Sequence, residues 1–415
     1  MNKKTVLFIG VTWPEPTATA AGSRILQLLH YFREQEYRTV FGSTATETPL
    51  SIDLEALGVE TVPIQLNDSR FDGFITALNP NIVVFDRFLS EEQFGWRVAE
   101  FAPQALRILD TEDLHSLRRT RRECVKKSIP FSNDTWLQND VTKREIASIY
   151  RCDLSLIISS YEMRLLTETL KIDKNLLLHL PFMLDRLDAK AVEDWPEYQD
   201  RKDFICIGNG KHAPNVDAIL WLKRDIWPLI RKRLPDADLL IYGAYLPEHI
   251  QRIDNPREGF RVMGWTENAG SVVQKARVVL APLRFGAGIK GKLIEAMQSG
   301  TPSITTSIGA EGMHDGYPWS GFIEDTAGKL AEAAIRLYQD SEQWIKSQEN
   351  GTDIINGLYG KDDLRSTLDA TITKITNNFQ NHRNRNFIGA MLMHHSMAGT
   401  KYMAKWISIK NNMRH

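Results

Sequence analysis

Short, apolar, β-branched segments alternate with longer segments of helical periodicity along most of the chain. In the first half the apolar segments cover residues 6–11, 39–42, 60–62, 82–85, 107–109 and 154–158. The pattern starts again in the second half, at residues 204–207, 239–242, 261–263, 278–281 and 303–306. Buried strands that alternate with helices predict parallel sheets with right-handed crossovers. The sequence therefore predicts an α/β protein with two such sheets.

The two halves are separated by a charged segment bounded by prolines, from about Pro181 to Lys202. Proline and charge clusters between periodic segments are typical of linkers. We therefore expect a first domain over residues 1–180, a linker over 181–202, a second domain over 203–376 and a basic C-terminal segment over 377–415.

The most informative stretch is residues 278–312, in which a buried strand leads into a loop that contains three glycines and then into a short helix. Glycines let the backbone approach a ligand, and a helix N-terminus offers free N–H groups and a positive dipole end. Lys290 and Lys292 add charge at this helix start, and Glu295 lies one turn further on, on the same side as Lys292. Phosphates at the helix tip and ribose hydroxyls on the carboxylate predict a nucleotide-sugar site.

This stretch resembles the donor-binding segment of retaining glycosyltransferases with the GT-B fold, the glycogen-synthase-like group (glycosyl transferases group 1). In that group a Gly-rich loop precedes the sequence E-A-M, which is present here from Glu295 to Met297. The family often has a second Glu eight positions earlier, where this chain has Ala287. A subgroup that reads G-x-G-x-K-x-K-x-x-E-A-M shares this difference. The resemblance implies two Rossmann-like domains with parallel sheets that face a central cleft, and donor contacts at Gly286, Gly288 and Ile289.

Two other interpretations of the same loop stay open. Gly286, Gly288 and Gly291 also spell G-x-G-x-x-G, with Glu311 about twenty residues later, which is the pattern of a dinucleotide-binding turn. That turn normally follows the first strand of its fold, whereas this one lies deep in the second half. The loop is alternatively a purely structural glycine turn.

The second domain contains two further donor-side candidates. Its first strand ends in a Gly-rich turn, and the resemblance places the donor phosphates near Gly208, Asn209 and Lys211, with His212 as a further candidate. A structural turn with an Asn helix cap is the alternative. Trp265 follows the third strand, where relatives contact the base, although an aromatic side chain at this position also suits packing in the domain wall.

The first domain is expected to hold the acceptor. By resemblance, Gly22 lies close to the transferred sugar, with Arg24 on the same side, unless this segment only caps the first helix. His115 follows a buried strand that Asp110 closes, and in relatives a His at this cleft edge contacts the transferred sugar. We therefore expect catalytic roles for His115, Asp110 and Lys290. Asp86, which ends the preceding strand beside Arg87, points to the same edge.

Composition excludes several classes of protein. The net charge of −1 gives no basic field for nucleic acid. Three scattered cysteines indicate neither a disulfide framework nor a zinc site. The apolar N-terminus is short and lacks a cleavage-like site, and no segment is long enough to span a bilayer. The resemblance implies that no metal and no cofactor is required. The residues 236–238, Asp-Ala-Asp, precede a strand and are expected to form a solvated turn.

No acidic residue follows Asp369, whereas the C-terminal segment is rich in basic and apolar side chains. GT-B proteins commonly end in a helix that crosses back to the first domain, and this is the expected arrangement. A peripheral contact with an anionic membrane and partner binding are alternatives. A second basic run covers residues 118–127 of the first domain. If both basic faces align, a lipid-linked acceptor is favoured.

Together these observations predict a cytoplasmic glycosyltransferase, with contact at the inner face of the membrane left open. It would transfer a sugar from a nucleotide-diphosphate sugar to a glycan or lipid-linked acceptor, with retention implied by the resemblance. The alternative is a catalytically silent GT-B scaffold that binds a glycan or a protein partner, as the Ala at position 287 suggests.

Overall fold

A computed structural model describes residues 3–412 of the chain. It contains two parallel sheets, of seven and six strands. Both sheets are doubly wound, because the strand order reverses direction at the first strand of each half. The two-sheet α/β prediction is confirmed.

The first sheet has the strand order β3-β2-β1-β4-β5-β6-β7. Its strands are β1 (Thr5–Gly10), β2 (Arg38–Ser43), β3 (Glu60–Pro63), β4 (Ile82–Asp86), β5 (Leu106–Asp110), β6 (Leu154–Ile157) and β7 (Leu177–His179). The helices that cover it are α1 (Ala20–Glu34), α2 (Arg70–Leu78), α3 (Arg87–Phe101), α4 (His115–Lys127), α5 (Asn133–Gln138), α6 (Asp140–Arg151) and α7 (Ser160–Arg164). The central strands are buried on both faces, as parallel strands between two helix layers must be.

A short helix, α8 (Ala189–Glu193), lies in the connection to the second sheet, which has the order β10-β9-β8-β11-β12-β13. Its strands are β8 (Lys202–Ile207), β9 (Leu239–Tyr242), β10 (Phe260–Gly264), β11 (Ala276–Ala281), β12 (Ser303–Thr305) and β13 (Gly321–Ile323). Its helices are α9 (Ala213–Trp221), α10 (Trp227–Arg233), α11 (Glu248–Gln251), α12 (Ala269–Lys275), α13 (Gly291–Gln298), α14 (Ser307–Ala310), α15 (Ala327–Gln339) and α16 (Ser341–Leu358).

Three further helices return to the first domain: α17 (Lys361–Asn377), α18 (Phe379–Arg385) and α19 (Phe387–Asn412). Leu368, Ile372 and Ile375 of α17 are buried in the same apolar cluster as β1. Arg383 of α18 binds both carboxylate oxygens of Asp153 at 2.8 Å. The C-terminal segment therefore packs on the domain at the other end of the chain.

The first part of α19 is fixed against α6 and its last part against α3. Gly389 lies so close to the carbonyl oxygen of Tyr150 that an added Cβ would be 2.1 Å from it. Ala404 is buried in an apolar cluster with Trp96, and Lys401 forms an ion pair with Glu100 at 2.8 Å. Arg414, a further basic residue of the C-terminal segment, lies outside the described residues. No helix within residues 3–412 is both long and apolar enough to cross a membrane.

Candidate functional site

A cleft of about 630 Å³ lies between the two domains, where the carboxyl ends of both sets of strands meet. Its walls come from the β1–α1 loop and the start of α4 on one side, and from the loops after β8, β10 and β11 on the other. In open α/β sheets ligands bind at this edge. The fold thus brings both groups of predicted residues to one cavity.

The helix α13 begins at the cleft, with Lys290 at its N-cap position. The first N–H groups of a helix have no partner inside the helix, so they are free for an anion. The Nζ of Lys290 donates to the carbonyl of Gly288 at 2.8 Å, and the Nζ of Lys292 donates to the Oδ1 of Asn215. Both amines line the cleft. The two lysines therefore lie together at the N-terminus of α13, and both donate hydrogen bonds to neutral groups only.

Burial lowers the pKa values of these two lysines. Loss of hydration lowers the pKa of Lys290 and that of Lys292 to about 8, since a buried ammonium group is disfavoured. Near neutral pH both remain mostly protonated. A bound diphosphate would stabilise their charged form further, so the amines are suited to a polyanionic ligand.

Glu295 lies one turn into α13 and lines the same cleft. Partial burial raises the pKa of its carboxyl group. Among the side chains that the structure describes, the Glu295 carboxylate has no hydrogen-bond or ion-pair partner. An unpaired, half-buried carboxylate that faces a cavity is available to accept hydrogen bonds from ligand hydroxyls.

The loop after β8 forms the floor beside α13. A Cβ at Gly208 would lie 2.8 Å from the Nζ of Lys292, so only glycine lets this backbone approach the amine. Asn209 crosses to the first domain, where its Nδ2 donates to the carbonyl of Ala18 at 3.2 Å. The Nζ of Lys211 lies 3.5 Å from the ring centre of Tyr245. All three predicted residues line the cleft, with Asn209 also joining the two domains.

His212 occupies the N-cap position of α9 and also lines the cleft. Burial, together with the charge of Arg118, lowers its pKa to about 3. The imidazole is therefore neutral, and it offers one donor and one acceptor instead of a positive charge.

Trp265 follows β10 and is 45% exposed at the cleft. A Trp packed in the domain wall would be far more buried, so the packing alternative does not fit its position. Nearly half of this residue is therefore accessible, and an indole suits contact with a planar ligand group.

The Gly-rich loop contacts the first domain more than the sequence predicts. Gly286 and Ile289 line the cleft, but Gly288 does not. The backbone N–H of Gly288 donates to the Oε1 of Glu162 at 2.8 Å, and its φ is +63°. A Cβ there would lie 2.7 Å from the Cβ of Asp113. The expectation that Gly288 contacts the donor is corrected: the residue packs against the opposite domain, which is why a glycine is required there.

On the acceptor side His115 is the first residue of α4 and lines the cleft. Its Nε2 lies 3.2 Å from the Oδ1 of Asp113. Burial lowers the pKa of His115 to about 4, and the charges of Arg118 and Arg87 act in the same direction. Neutral His115 donates from Nε2 to Asp113, which leaves Nδ1 as an acceptor.

Asp113 itself stays ionised. Burial acts to raise its pKa, but Arg118, His115 and His212 outweigh this effect and hold the pKa at about 2. The Nε of Arg118 lies 2.8 Å from its Oδ2. Asp113 therefore fixes the tautomer and the orientation of the His115 ring.

Asp110 and Arg24 form a buried ion pair beneath the cleft. The Nε of Arg24 donates to Asp110 at 2.8 and 3.0 Å, and the carboxylate is completely buried. Asp110 is not among the lining residues. The expectation of a catalytic Asp110 is corrected, because its charge is neutralised below the cavity floor. Arg24 reaches the cleft wall, but its guanidinium is engaged by Asp110 and by the carbonyl of Pro181.

Gly22 and Asp86 also lie behind the surface. Gly22 donates its N–H to the N-cap Thr19 at 2.9 Å, and a Cβ there would meet the backbone of Glu15 at 2.6 Å. Asp86 accepts the N–H of Val11 at 3.0 Å. Neither lines the cleft, so the expectation that Asp86 points to the cleft edge is corrected, whereas the expected closeness of Gly22 to the transferred sugar stays a prediction. Both support the loop that does line it.

Sequence reasoning missed Glu112. It lines the cleft, receives a hydrogen bond from Arg87 at 2.7 Å, and has a φ of +57°. Burial raises its pKa to about 8 despite the opposing effect of Arg87. Its position in a loop after a buried strand, directly before Asp113, indicates that Glu112 could lie near the cleft. The left-handed backbone that turns Glu112 into the cleft cannot be inferred from the sequence.

The possible metal ligands of residues 3–412 do not come together in the structure. Within residues 3–412 no group of three or more His, Cys, Asp or Glu side chains is placed to hold a metal ion. The Asp236-Ala237-Asp238 segment precedes β9 at the opposite edge of the sheet, with Asp238 near Arg231 and Arg261. All three cysteines are buried and free.

Comparison with known proteins supports this description of the second domain. Residues 201–340 match the model of a family described as Glycosyl transferases group 1. A curated relative, an uncharacterized 44.6 kDa protein in the cps region of Klebsiella pneumoniae, is 23% identical over 177 residues. That match spans 41% of this chain and 42% of the relative, which is less than half of either.

Solved structures match almost the whole chain. Sucrose-phosphate synthase from Thermosynechococcus elongatus superposes with a TM-score of 0.69 at 16% identity, over 91% of this chain and 100% of that chain. Anabaena HepE, in complex with UDP and glucose, superposes with a TM-score of 0.62 at 10% identity, over 89% and 99%. At these identities the likeness shows the fold, and the predicted GT-B fold is confirmed.

Proposed function

We propose that this chain, a GT-B protein whose second domain matches the glycosyl transferases group 1 family, transfers a sugar from a nucleotide-diphosphate sugar to a glycan or lipid-linked acceptor. The observation that carries the proposal is the start of α13 at the cleft. There, two buried amines flank free helix N–H groups, and one turn later an unpaired carboxylate faces the same cavity.

The donor would bind with its diphosphate at Lys290 and Lys292 and its ribose on Glu295. Trp265 would face the base. When the bond between the sugar and the diphosphate breaks, negative charge develops on the leaving phosphate. Preformed cations and helix N–H groups stabilise that charge without rearrangement, and this is where the geometry contributes most to rate.

The acceptor would enter from the first domain, where His115 stands opposite the donor loop. Its neutral imidazole, held by Asp113 through Nε2, offers Nδ1 to a sugar hydroxyl. Such a contact positions the transferred sugar and adds no charge. Retention at the anomeric carbon, which rests on the family resemblance, and a cytoplasmic location, which rests on the composition of the chain, are part of the proposal.

A thermal-shift screen against nucleoside diphosphates and nucleotide sugars tests the donor assignment. We expect UDP or GDP, but not NAD, to raise the melting temperature. Hydrolysis or transfer from the stabilising nucleotide sugar in the presence of candidate acceptors then tests activity. A protein that binds the donor and never turns it over would instead be a silent scaffold.

A further inference from the structure

The C-terminal helix α19 carries an apolar surface that nothing in the described chain covers. Its exposed large apolar side chains are Phe387, Ile388, Met391, Tyr402, Met403, Trp406 and Ile409. Tyr402 is 68% exposed and Trp406 is 61% exposed, values far above those of aromatic residues in either core. Large apolar side chains exposed together near both ends of one helix are typical of an interaction site.

Five of these side chains share one side of the helix. With about 100° of rotation per residue, positions 387, 391, 402, 406 and 409 fall within about 100° of one another. Ala404, which packs on Trp96, points to the opposite side. Since α19 is anchored to α3 and α6 by that opposite side, the apolar side faces outward.

A basic groove opens next to the first turn of α19. It encloses about 360 Å³ between the loop before β7 and the helices α17 and α18, and Phe387 and Ile388 form part of its rim. Its charged lining comprises the cations Lys171, Lys174, Lys374 and Arg385 and a single acid, Asp173. The groove is therefore adapted to an anion, and it is continuous with the apolar surface.

We propose that α19 and this groove together dock the protein on an anionic phospholipid membrane. The apolar side of α19 would lie in the interfacial region, and the groove would receive a phosphate-bearing headgroup. The charge distribution favours a membrane over a second copy of the chain. No acidic residue follows Asp369, and Glu100, the acid that faces α19 from α3, is already paired with Lys401 and Lys405.

The same arrangement predicts reversible binding. Cations near an anionic surface are attracted to it without being inserted, and the aromatic side chains suit the region between headgroups and acyl chains. Surface charges are screened over about 8 Å at physiological salt, so added salt must weaken the electrostatic part. The helix lies on the membrane and does not cross it.

Co-sedimentation of the full chain with vesicles tests the proposal. Vesicles of phosphatidylcholine with phosphatidylglycerol are compared with vesicles of phosphatidylcholine alone. We expect the protein to sediment with the anionic vesicles only and to be released by added salt. Equal sedimentation with both vesicle types, or none with either, would overturn the proposal. Vesicle binding is measured without nucleotide or acceptor, so its outcome does not depend on whether the protein is a glycosyltransferase.

Two sets of variants locate the contact. The apolar set is Phe387→Ser, Tyr402→Ser and Trp406→Ser, with a matched control on the second domain, Leu220→Ser, Leu229→Ser and Ile345→Ser, at residues that are also exposed. The groove set is Lys174→Gln, Lys374→Gln and Arg385→Gln, with the control Lys232→Gln, Arg233→Gln and Lys329→Gln. We expect each test set to weaken vesicle binding by about tenfold or more and each control to have no effect.

Sedimentation velocity tests whether a second copy of the chain binds the apolar side of α19 instead of a membrane. The proposal predicts a monomer without vesicles, and all variants should melt at the temperature of the parent because the altered side chains are exposed. A dimer that the apolar set abolishes would assign the surface to a second copy and overturn the membrane proposal. Equal loss of vesicle binding in a test set and its control would do the same.

Discussion

Arg121 of the first domain holds Glu311 of the second with two hydrogen bonds, at 2.7 and 2.8 Å, and its Nη1 also donates to the carbonyl of Gly286 at 2.9 Å. The guanidinium is almost fully buried and lies against the rings of Phe131 and Tyr161. Because Gly286 belongs to the Gly-rich loop, the Arg121 side chain both joins the two domains and fixes the position of the loop at the donor site.

Arg121→Ala should therefore affect both stability and binding. Removing one partner of a buried ion pair leaves a charge unpaired, and we expect the free energy of unfolding to fall by about 3 kcal/mol or more. Nucleoside diphosphate affinity should fall as well, because the loop loses its anchor. Urea unfolding and calorimetric titration measure the two effects.

The matched control is Arg119→Ala, two residues earlier on α4. Arg119 forms an exposed pair with Glu123, and such pairs contribute about 0.5 kcal/mol. If the two variants behaved alike, the contact between Arg121 and Glu311 would have no special role in joining the domains.

The pKa values of Lys290 and Lys292 predict how donor binding depends on pH. Both pKa values are about 8 in the free protein, and a bound diphosphate raises them. Below that pH both amines are protonated before and after binding, so affinity is at its full value. Above it, binding requires proton uptake, so affinity must fall as the pH rises from about 7 to about 9.5.

Titration of UDP or GDP across this range checks the sign of the effect. Lys290→Arg with Lys292→Arg provides the control, since arginine stays protonated throughout. A parent affinity that is constant or rises above pH 8 would show that these lysines do not contact the phosphates.

His115→Ala should reduce turnover of the donor while leaving nucleoside diphosphate affinity nearly unchanged. The side chain belongs to the first domain and contacts Asp113, not the donor loop, so its loss affects only the transferred sugar or the acceptor. The backbone N–H of His115 donates to Glu145, and this bond survives the substitution. Initial rates and a binding titration on the same preparation separate the two quantities.

A conservative replacement sharpens this test. His115→Asn retains a polar side chain that accepts hydrogen bonds, and we expect it to recover part of the activity that His115→Ala loses. Full activity in His115→Ala would identify the residue as a packing group on Phe88, its ring neighbour at 5.8 Å.

Trp265→Ala should weaken nucleotide binding by about 1–3 kcal/mol, the usual contribution of a base that stacks on an aromatic ring. The side chain is 45% exposed, so the melting temperature should hardly change. Met263→Ala serves as the control, because Met263 is similarly exposed on β10, the strand that Trp265 follows, but does not line the cleft. Equal affinity in parent and Trp265→Ala would remove Trp265 from the base site.

Local sequence was sufficient for most of the fold. The strand predicted over 278–281 lies within β11, and the short helix predicted after the Gly-rich loop is α13, because an apolar run, glycines and a helical pattern follow one another directly. β7 and β13 were missed. Each has only three residues, and each is a strand only through pairing with its neighbour in the sheet.

The residues of the candidate site likewise fall into a group that local sequence predicts correctly and a group that it does not. Lys290, Lys292 and Glu295 are brought to the cleft by one short helix, so their relation follows from spacing alone. Asp110 and Gly288 were misplaced because their partners are distant in the sequence. Arg24 is 86 residues from Asp110, and Glu162 is 126 residues from Gly288. No periodicity reveals contacts of that kind.

The central claim is that the start of α13 binds a nucleoside diphosphate, with Glu295 on the ribose. Calorimetric titration of UDP and GDP into the parent, Glu295→Gln and Lys290→Ala tests it directly. We expect one saturable site in the parent for at least one of the two nucleotides. Each variant should lose about 1.5–3 kcal/mol of binding free energy and remain folded at the temperature of the titration.

Glu248→Gln is the control for this titration, because Glu248 is exposed on α11 and outside the cleft. We expect parental affinity for Glu248→Gln and a weakening of roughly tenfold or more for both site variants. Unchanged nucleotide affinity in Glu295→Gln and Lys290→Ala would contradict a nucleoside diphosphate site at the start of α13.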